Sequence, residues 1–206
     1  MTQTAAGGSQ TPASTRPKGR VDRAAAVRRA LRTLVAEHGF HGASMSDVAK
    51  EAGVASGTAY VHYGSKDELV FAAYLEVKRE LGLAAVAEID HTARFHERFV
   101  QMWFGIYRHL ADQPERARFL VQIDSSPYAG AAHEMAMRVD GDPIMAEAAR
   151  PDAVAVLAPL PLEVLYDLGL APAIRLAAGM FDSSVALDDE LLGSIAEACW
   201  RAVTRA

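Results

Sequence analysis

Two helix-start signals near the amino end leave room only for short helices between them. Ser44 and Ser65 each stand three positions before an acidic residue, the spacing of a capping box. Gly53 lies between them and can adopt the left-handed backbone of a tight turn. The segment therefore predicts two short helices joined by a glycine turn, the second over about 56–62. With an amphipathic helix that begins at Val21 and stops near Gly39, they form a three-helix helix-turn-helix unit.

Helical patterns also account for the rest of the chain, so the predicted fold class is all-α. Apolar residues recur at helical spacing over 94–111 and in the last two predicted helices, 172–185 and 188–203. Five of the nine prolines fall between Pro143 and Pro172, which excludes a continuous helix there. We expect three parts: a disordered, basic-ended arm at 1–20, the helix-turn-helix unit at 21–66, and a larger helical domain at 67–206.

Charge is distributed unevenly between these parts. Residues 1–66 hold nine Lys or Arg and four Asp or Glu, whereas residues 67–206 hold twelve and twenty-two. A basic head on an acidic body suggests that only the head meets a polyanion. The single cysteine, Cys199, suits a reducing compartment, and no apolar run is long enough for a signal peptide or a membrane span. We therefore expect a cytoplasmic protein.

The stretch GVASGTAYVHYGSKDEL, residues 53–69, has few large apolar residues and many small or polar ones. Such a composition suits a polar surface better than a hydrophobic core. A recognition helix exposes small and hydrogen-bonding side chains so that its backbone can approach base edges and phosphates. Gly57 removes bulk, and its helical neighbours supply hydrogen-bonding groups. Lys66 lies in the first turn of the next helix, where its charge can address a phosphate. These residues predict a DNA-binding surface.

This stretch, with the preceding SMSDVAKEA and HGFHGAS, resembles the DNA-binding domain of the TetR/AcrR (tetracycline-repressor) family over about 21–70. The resemblance implies that the third helix enters the major groove. It also implies a buried Tyr63, and it assigns DNA contact to Ser44, Ser46, Ser56, Gly57, Thr58, Tyr60, His62 and Lys66. The chain departs from the family pattern at Ala55, where a Ser or Thr commonly caps the third helix.

The same resemblance implies a homodimer and a ligand-binding body. In the family the last two helices pack against their copies as a four-helix bundle. The apolar residues expected at this interface are Ile174, Ala178, Phe181, Leu192, Ile195 and Cys199.

The proline-broken middle should leave gaps for a small apolar or aromatic effector. The candidate lining is Phe99, Met102, Trp103, Tyr107, Phe119, Tyr128, Met135 and Tyr166, although each of these could simply fill the core. The predicted function is a DNA-binding transcriptional regulator, expected to be a repressor released from a palindromic operator by its effector.

The alternative is a helical dimeric module whose DNA-binding head is regulated by a protein partner. No zinc-protease, P-loop, dinucleotide or nucleophile-elbow motif is complete, so we expect no enzyme activity, cofactor or metal. Effector identity, operator sequence, the sign of regulation and contact of the arm with DNA stay open.

Overall fold

The computed structural model describes residues 18–180 and 186–205, with side chains from residue 23 onward. Within these ranges the chain is helical and forms no β-strand beyond one bridge between Leu157 and Thr204, which confirms the all-α prediction. The helices are α1 (Lys18–His38), a 3₁₀ turn (Phe40–Gly42), α2 (Met45–Glu51), α3 (Ser56–His62), α4 (Lys66–Val86), α5 (Phe95–Ala111), α6 (Pro114–Asp124), α7 (Ala129–Met137), α8 (Pro143–Ala148), α9 (Pro151–Val156), α10 (Leu162–Gly169), α11 (Ala171–Ala177) and α12 (Asp189–Val203).

The caps that the sequence predicts in the head are present. Ser44 and Asp47 form a reciprocal capping box at α2: Asp47 N donates to Ser44 Oγ at 3.2 Å, and Ser44 N donates to Asp47 Oδ2 at 3.3 Å. At α4, Glu68 N donates to Ser65 Oγ at 3.1 Å, but the Glu68 carboxylate accepts from Gly64 N, one residue earlier than in a capping box. Gly53 has φ 66°, as the turn between α2 and α3 requires.

An ion-pair cluster joins α1 to α4 inside the head. Arg28 and Arg32 of α1 both donate to the Glu76 carboxylate of α4, and Arg28 also donates to the Tyr63 hydroxyl. Arg32 and Tyr63 are buried, which confirms the core position expected for the tyrosine. Two of the basic residues counted in the head therefore neutralise an acid of the body, and the net charge by sequence overstates the charge available at the surface.

The long helices α4 and α5 form the centre of the larger domain. They approach so closely that a Cβ on Gly105 would lie 2.8 Å from the Ala84 carbonyl oxygen, so no other residue fits without a shift. Trp103 and Ile106 of α5 and Phe119 of α6 are fully buried. Because Glu76 of α4 also pairs with α1, α4 is the element that the head and the body share.

The proline-rich middle forms short helices, as predicted. Pro143, Pro151 and Pro172 each lie in the first turn of a helix, where a missing amide hydrogen costs nothing. A buried arginine holds two of these helices against α5. Arg98 Nε donates to Glu147 of α8 at 2.9 Å, and its terminal nitrogens donate to Asp152 of α9 at 2.9 and 3.2 Å.

The carboxyl end departs from the prediction in one place. The helix expected over 172–185 ends at Ala177, and Gly179 follows with φ 69°, which turns the chain out of the helix. Phe181 lies outside the described residues. The final helix α12 matches its prediction. The helix begins after the cap residue Asp188, whose side chain accepts from Leu191 N at 2.9 Å.

Candidate functional site

The outer face of α3 is a ridge of small and polar groups with two larger side chains. Tyr60 is 54% exposed and Val61 is 70% exposed, while Thr58 and His62 are half-buried. Ser56 and Gly57 are exposed, and a Cβ added at Gly57 would meet no atom within 4 Å. Glycine at this helical position therefore serves no packing need of the chain itself.

The serines assigned to DNA on α2 lie at the start of that helix. Ser44 and Ser46 are exposed, and their hydroxyl oxygens are 3.0 Å apart. Ser44 is committed to the cap, since it also bonds to the Asp47 carboxylate, and this bonding lowers the pKa of Asp47. At the start of α3, Ala55 offers no side-chain cap and no other side chain replaces it.

Lys66 turns inward rather than out from the head. Its ammonium donates to the Phe40 carbonyl oxygen and lies 6.0 Å from the centroid of the Phe40 ring. Partial burial lowers the pKa of Lys66. The side chain thus ties the start of α4 to the 3₁₀ turn. An ammonium carries three hydrogens, so this bond leaves donors for a further oxygen.

The cations of the head whose side chains are described as exposed are few. They are Arg23 and Arg29 on α1 and Lys50 on α2. The outer face of α3 itself contributes hydrogen-bonding and apolar groups rather than charge.

A first cavity, of about 120 Å³, opens beside α4. We call it the acidic cavity, because its wall contains four carboxylates and one lysine. Lys78 Nζ donates to the Tyr166 hydroxyl at 2.9 Å, and His133 Nε2 lies 2.9 Å from Asp124 Oδ1. The lining residues are Tyr74, Lys78, Leu120, Asp124, His133, Ala136, Met137, Asp142, Ile144, Met145, Leu162, Glu163, Tyr166, Asp167 and Ile174.

A second cavity, of about 60 Å³, adjoins the first and is apolar. Ile144, Met145, Leu162 and Tyr166 line both cavities, so the two spaces lie on opposite sides of these side chains. The rest of the second wall comes from α5, α8, the segment around Leu157, α10 and α12.

Three of the eight residues assigned to the effector pocket line these cavities. Tyr166 lines both, and Phe99 and Met102 line the second. The other five do not line either cavity. Trp103 and Phe119 are fully buried, Tyr107 stacks on Trp103 with ring centroids 6.0 Å apart, and Met135 is 36% exposed. The apolar or aromatic character of a residue therefore does not distinguish a core position from a cavity-lining position.

Tyr128, the fifth of these residues, joins the body to the head. Its hydroxyl donates to Asp67 Oδ1 at 2.8 Å, and its ring lies 4.8 Å from that of Phe40. Burial, together with the hydrogen bond and the charge of Asp67, raises the pKa of Tyr128 to about 12. Phe40 is also the residue that accepts from Lys66. The turn between α6 and α7 thus touches the head where α4 begins.

The residues assigned to the dimer interface mostly face the chain's own core. Ile174, Ala178, Leu192 and Cys199 are buried within one chain, so they cannot provide a surface for a partner. Burial also raises the pKa of the Cys199 thiol. Ile195 is half-buried, and Phe181 lies outside the described residues. Four of the six assigned residues thus pack on their own chain, and the dimer interface itself stays a prediction.

Several site residues were missed from the sequence. Val61 could have been found, because residues 57, 60, 61 and 64 share one face of a helix. The polar lining of the acidic cavity could not, because Tyr74, Asp124, His133 and Glu163 come from four different helices and only packing brings them together. Across residues 18–180 and 186–205 there is no cluster of metal-ligating side chains and no helix with the length and hydropathy to cross a bilayer.

Comparison with family models and known proteins agrees with this architecture. Residues 27–73 match the model described as bacterial regulatory proteins, tetR family, and residues 95–204 match the model of a tetracyclin repressor-like C-terminal domain. The two models together cover the head and most of the body. A protein of Haemophilus influenzae described as an uncharacterized HTH-type transcriptional regulator is 31% identical over 172 residues, which is 84% of this chain and 90% of that protein.

Solved structures show the same relationship. The crystal structure of a TetR-family transcriptional regulator from Haemophilus influenzae is 29% identical, with a TM-score of 0.75 and coverage of 92% of this chain and 100% of that one. A TetR-family regulator structure from Shewanella sp. PV-4 is 25% identical, with a TM-score of 0.77 and coverage of 89% and 99%.

Proposed function

Since the chain belongs to the TetR family of bacterial regulatory proteins, we propose that it is a dimeric repressor that leaves a palindromic operator when a small molecule binds in its larger domain. The coarser statement, that it is a transcriptional regulator and not an enzyme, follows from the family. The dimer, the operator and the effector are the parts of the proposal that experiment must decide.

The outer face of α3 carries the DNA-binding part of the proposal. A glycine inside a helix costs about 0.5–1 kcal/mol relative to alanine, yet Gly57 has open space around it. That cost is understandable if another backbone must approach closely. Tyr60 and Val61 then stand beside the glycine, where a hydroxyl can reach a base edge and a branched apolar group can pack on a thymine methyl group.

A single α3 is too short to specify an operator, because it has seven residues. Two copies related by a two-fold axis would read two half-sites about 34–36 Å apart. The exposed apolar residues of α10 and α12 are better candidates for the interface than the buried ones. Val164 is 39% exposed and Leu168 is 43% exposed on α10, and Ala198 and Ala202 are exposed on α12.

Release by an effector would use α4, which contributes to both the cavity and the head. Tyr74 and Lys78 face the acidic cavity, and two turns earlier Lys66 and Asp67 make the contacts with Phe40 and Tyr128 described above. An effector that shifts α4 or the α6–α7 turn would therefore move the head. By linkage, operator DNA would weaken effector binding by the same factor by which effector weakens DNA binding.

Selection of DNA from a random duplex library by the wild-type protein would test the DNA-binding part. We expect inverted-repeat sites, with affinity that falls steeply as salt is added because phosphate contacts dominate binding. Tyr60→Ala should weaken binding to the selected site by about tenfold or more, since one lost base contact is worth about 1–3 kcal/mol. Fluorescence anisotropy at two salt concentrations measures both effects.

The matched control is Leu83→Ala. Leu83 is 49% exposed on α4 and lies outside the head, so its removal should leave DNA affinity unchanged. Tyr60→Phe separates the hydroxyl from the ring. If Tyr60→Ala binds the selected site as tightly as the wild type, the assignment of α3 as the reading helix is wrong. Selected sites without two-fold symmetry would contradict the dimer.

A further inference from the structure

The acidic cavity brings several carboxylates together in a small volume. Four carboxylates line it, against one lysine, and His133 is paired with Asp124. Asp142 is committed to the start of α8, where it accepts from Ile144 N and Met145 N at 2.9 and 3.1 Å. Glu163 and Asp167, one turn apart on α10, make no hydrogen bond or ion pair with any residue that the structure describes. Both side chains are exposed, so a cation entering the cavity would meet two hydrated carboxylates that no described side chain neutralises.

The aromatic part of the wall also suits a cation. Lys78 Nζ lies 4.2 Å from the centroid of the Tyr166 ring, which is the geometry of a cation–π contact. The lysine makes this contact and the hydrogen bond to the Tyr166 hydroxyl. Lys78 therefore forms no ion pair with any of the four cavity carboxylates.

Tyr74 gives an independent indication that a ligand belongs here. This tyrosine lines the cavity and is 97% buried, yet its hydroxyl has no hydrogen-bond partner within residues 23–180 and 186–205. Burial, with Tyr166 and Asp124 nearby, raises the pKa of Tyr74, so the hydroxyl stays neutral and can both donate and accept. The oxygen is not fully enclosed by the protein, so a ligand in the cavity could reach it and form a hydrogen bond.

We infer that the acidic cavity binds a protonated organic amine that carries an apolar or aromatic group, and that this amine is the effector of the regulator. This inference rests on the function proposed above. The ammonium lies near Glu163 and Asp167 and donates to the Tyr74 hydroxyl oxygen, while the apolar group packs against Leu120 and Ile144 and can extend toward the second cavity. An anionic effector of the same size would face four carboxylates and one ammonium group.

Three probes of similar size and different charge test the inference: benzylammonium, benzyl alcohol and benzoate. Binding to the full-length protein is measured by isothermal titration calorimetry at neutral pH. We expect benzylammonium to bind about tenfold or more tightly than benzyl alcohol, and benzoate to bind least. Equal binding of benzylammonium and benzyl alcohol, tighter binding of benzoate, or no binding of benzylammonium at millimolar concentration would overturn the inference.

Variants of the wall locate the site. The double variant Glu163→Gln/Asp167→Asn should lower benzylammonium affinity by about tenfold and leave benzyl alcohol affinity unchanged. Tyr74→Phe should lower it by about fivefold. Asp140→Asn is the matched control, because Asp140 is exposed near the cavity and does not line it. If Asp140→Asn has as large an effect as the double variant, general surface charge and not the cavity attracts the amine.

Operator binding in the same samples separates this inference from the proposed function. If the protein binds its selected DNA and only neutral or anionic probes release it, the ligand class is wrong and the regulator stands. If benzylammonium binds in the cavity but the protein binds no DNA, the proposed function fails and the cationic site stands.

Discussion

The outer face of α3 and the acidic cavity are built in opposite ways. The α3 surface comes from seven consecutive residues, so helix geometry alone sets which side chains point outward. The cavity wall comes from α4, α6, α7, α8, α10 and α11, so only the packing of distant segments sets its shape. A surface of the first kind is robust to changes elsewhere in the fold, whereas one of the second kind depends on every contact that holds its walls.

The stabilising contacts differ accordingly. The head uses local caps such as the Ser44–Asp47 pair, each worth about 1 kcal/mol. The body uses buried ion pairs between residues far apart in sequence, such as Arg98 with Glu147, which are 49 positions apart. A pair of the same kind, Arg32 with Glu76, joins the head to α4. Removing one partner of a buried pair leaves an uncompensated charge, which costs more than losing a cap. Substitutions in the buried ion pairs should therefore have larger effects on stability than substitutions at the caps.

The largest effect is expected from Arg98→Ala. This change removes the buried guanidinium from Glu147, which is 6% exposed and keeps only the contacts to Arg150 at 3.5 Å and His91 at 3.0 Å. We expect the free energy of unfolding to fall by about 4 kcal/mol, as measured by chemical denaturation. Because α8 contributes Ile144 and Met145 to both cavities, benzylammonium binding should also be lost.

The double variant Arg98→Met/Glu147→Leu provides the control. It removes both charges and fills similar volume, so it should recover part of the lost free energy of unfolding. The single variant Arg98→Ala gives a second measurement. At a temperature at which Arg98→Ala is folded, the affinity of Arg98→Ala for operator DNA should stay close to that of the wild type. Loss of DNA binding by the folded variant would show that the head depends on the body's packing as much as the cavity does.

Glu76 lies where the two regions meet and tests their connection. Burial raises the pKa of this carboxyl, but the hydrogen bonds and charges of Arg28 and Arg32 outweigh burial and hold the pKa below its ordinary value of 4.5. Glu76→Gln leaves the buried Arg32 uncompensated. We expect a loss of about 3 kcal/mol of unfolding free energy at pH 7.

The loss should depend on pH in a defined direction. A carboxyl whose pKa is lower in the folded state stabilises the fold above its unfolded pKa, and this contribution disappears as the pH falls through the folded pKa. The difference between wild type and Glu76→Gln should therefore be constant near neutrality and shrink below about pH 4.5. Glu51→Gln, an exposed change in α2, is the control and should shift stability by less than about 0.5 kcal/mol. A difference that persists unchanged at pH 3 would contradict the ion-pair explanation.

The same contrast explains what could be predicted from the sequence. The caps at Ser44 and Ser65 and the turn at Gly53 follow from local patterns, the burial of Tyr63 follows from the family resemblance, and the structure has them all. The start of α11 near Pro172 follows for the same reason. Local rules were also sufficient for the class of fold, because helix periodicity is a property of neighbouring residues.

Long-range contacts were beyond such rules. The sequence contains Arg28, Arg32 and Lys66, but nothing local shows that the first two bind Glu76 or that the third donates to Phe40. Likewise, helical spacing identifies an apolar face on α12 without showing whether it packs inward or on a partner. The aromatic residues of the middle segment divide between core and cavity for reasons that only the packing of the short helices decides.

The smallest expected effect compares one substitution in both regions. Gly57 of α3 and Gly130 of α7 are each the second residue of a helix, and a Cβ added at either meets no atom within 4 Å. Alanine at each position should raise the free energy of unfolding by about 0.5–1 kcal/mol, because it restricts the unfolded chain. Only Gly57→Ala should weaken operator binding, since the added methyl group would stand between α3 and DNA. Denaturation and anisotropy on the two variants measure both quantities. Equal DNA affinity for both variants would mean that the open space at Gly57 is not filled by DNA, and the difference between a DNA-facing head and a ligand-facing body would then need another basis.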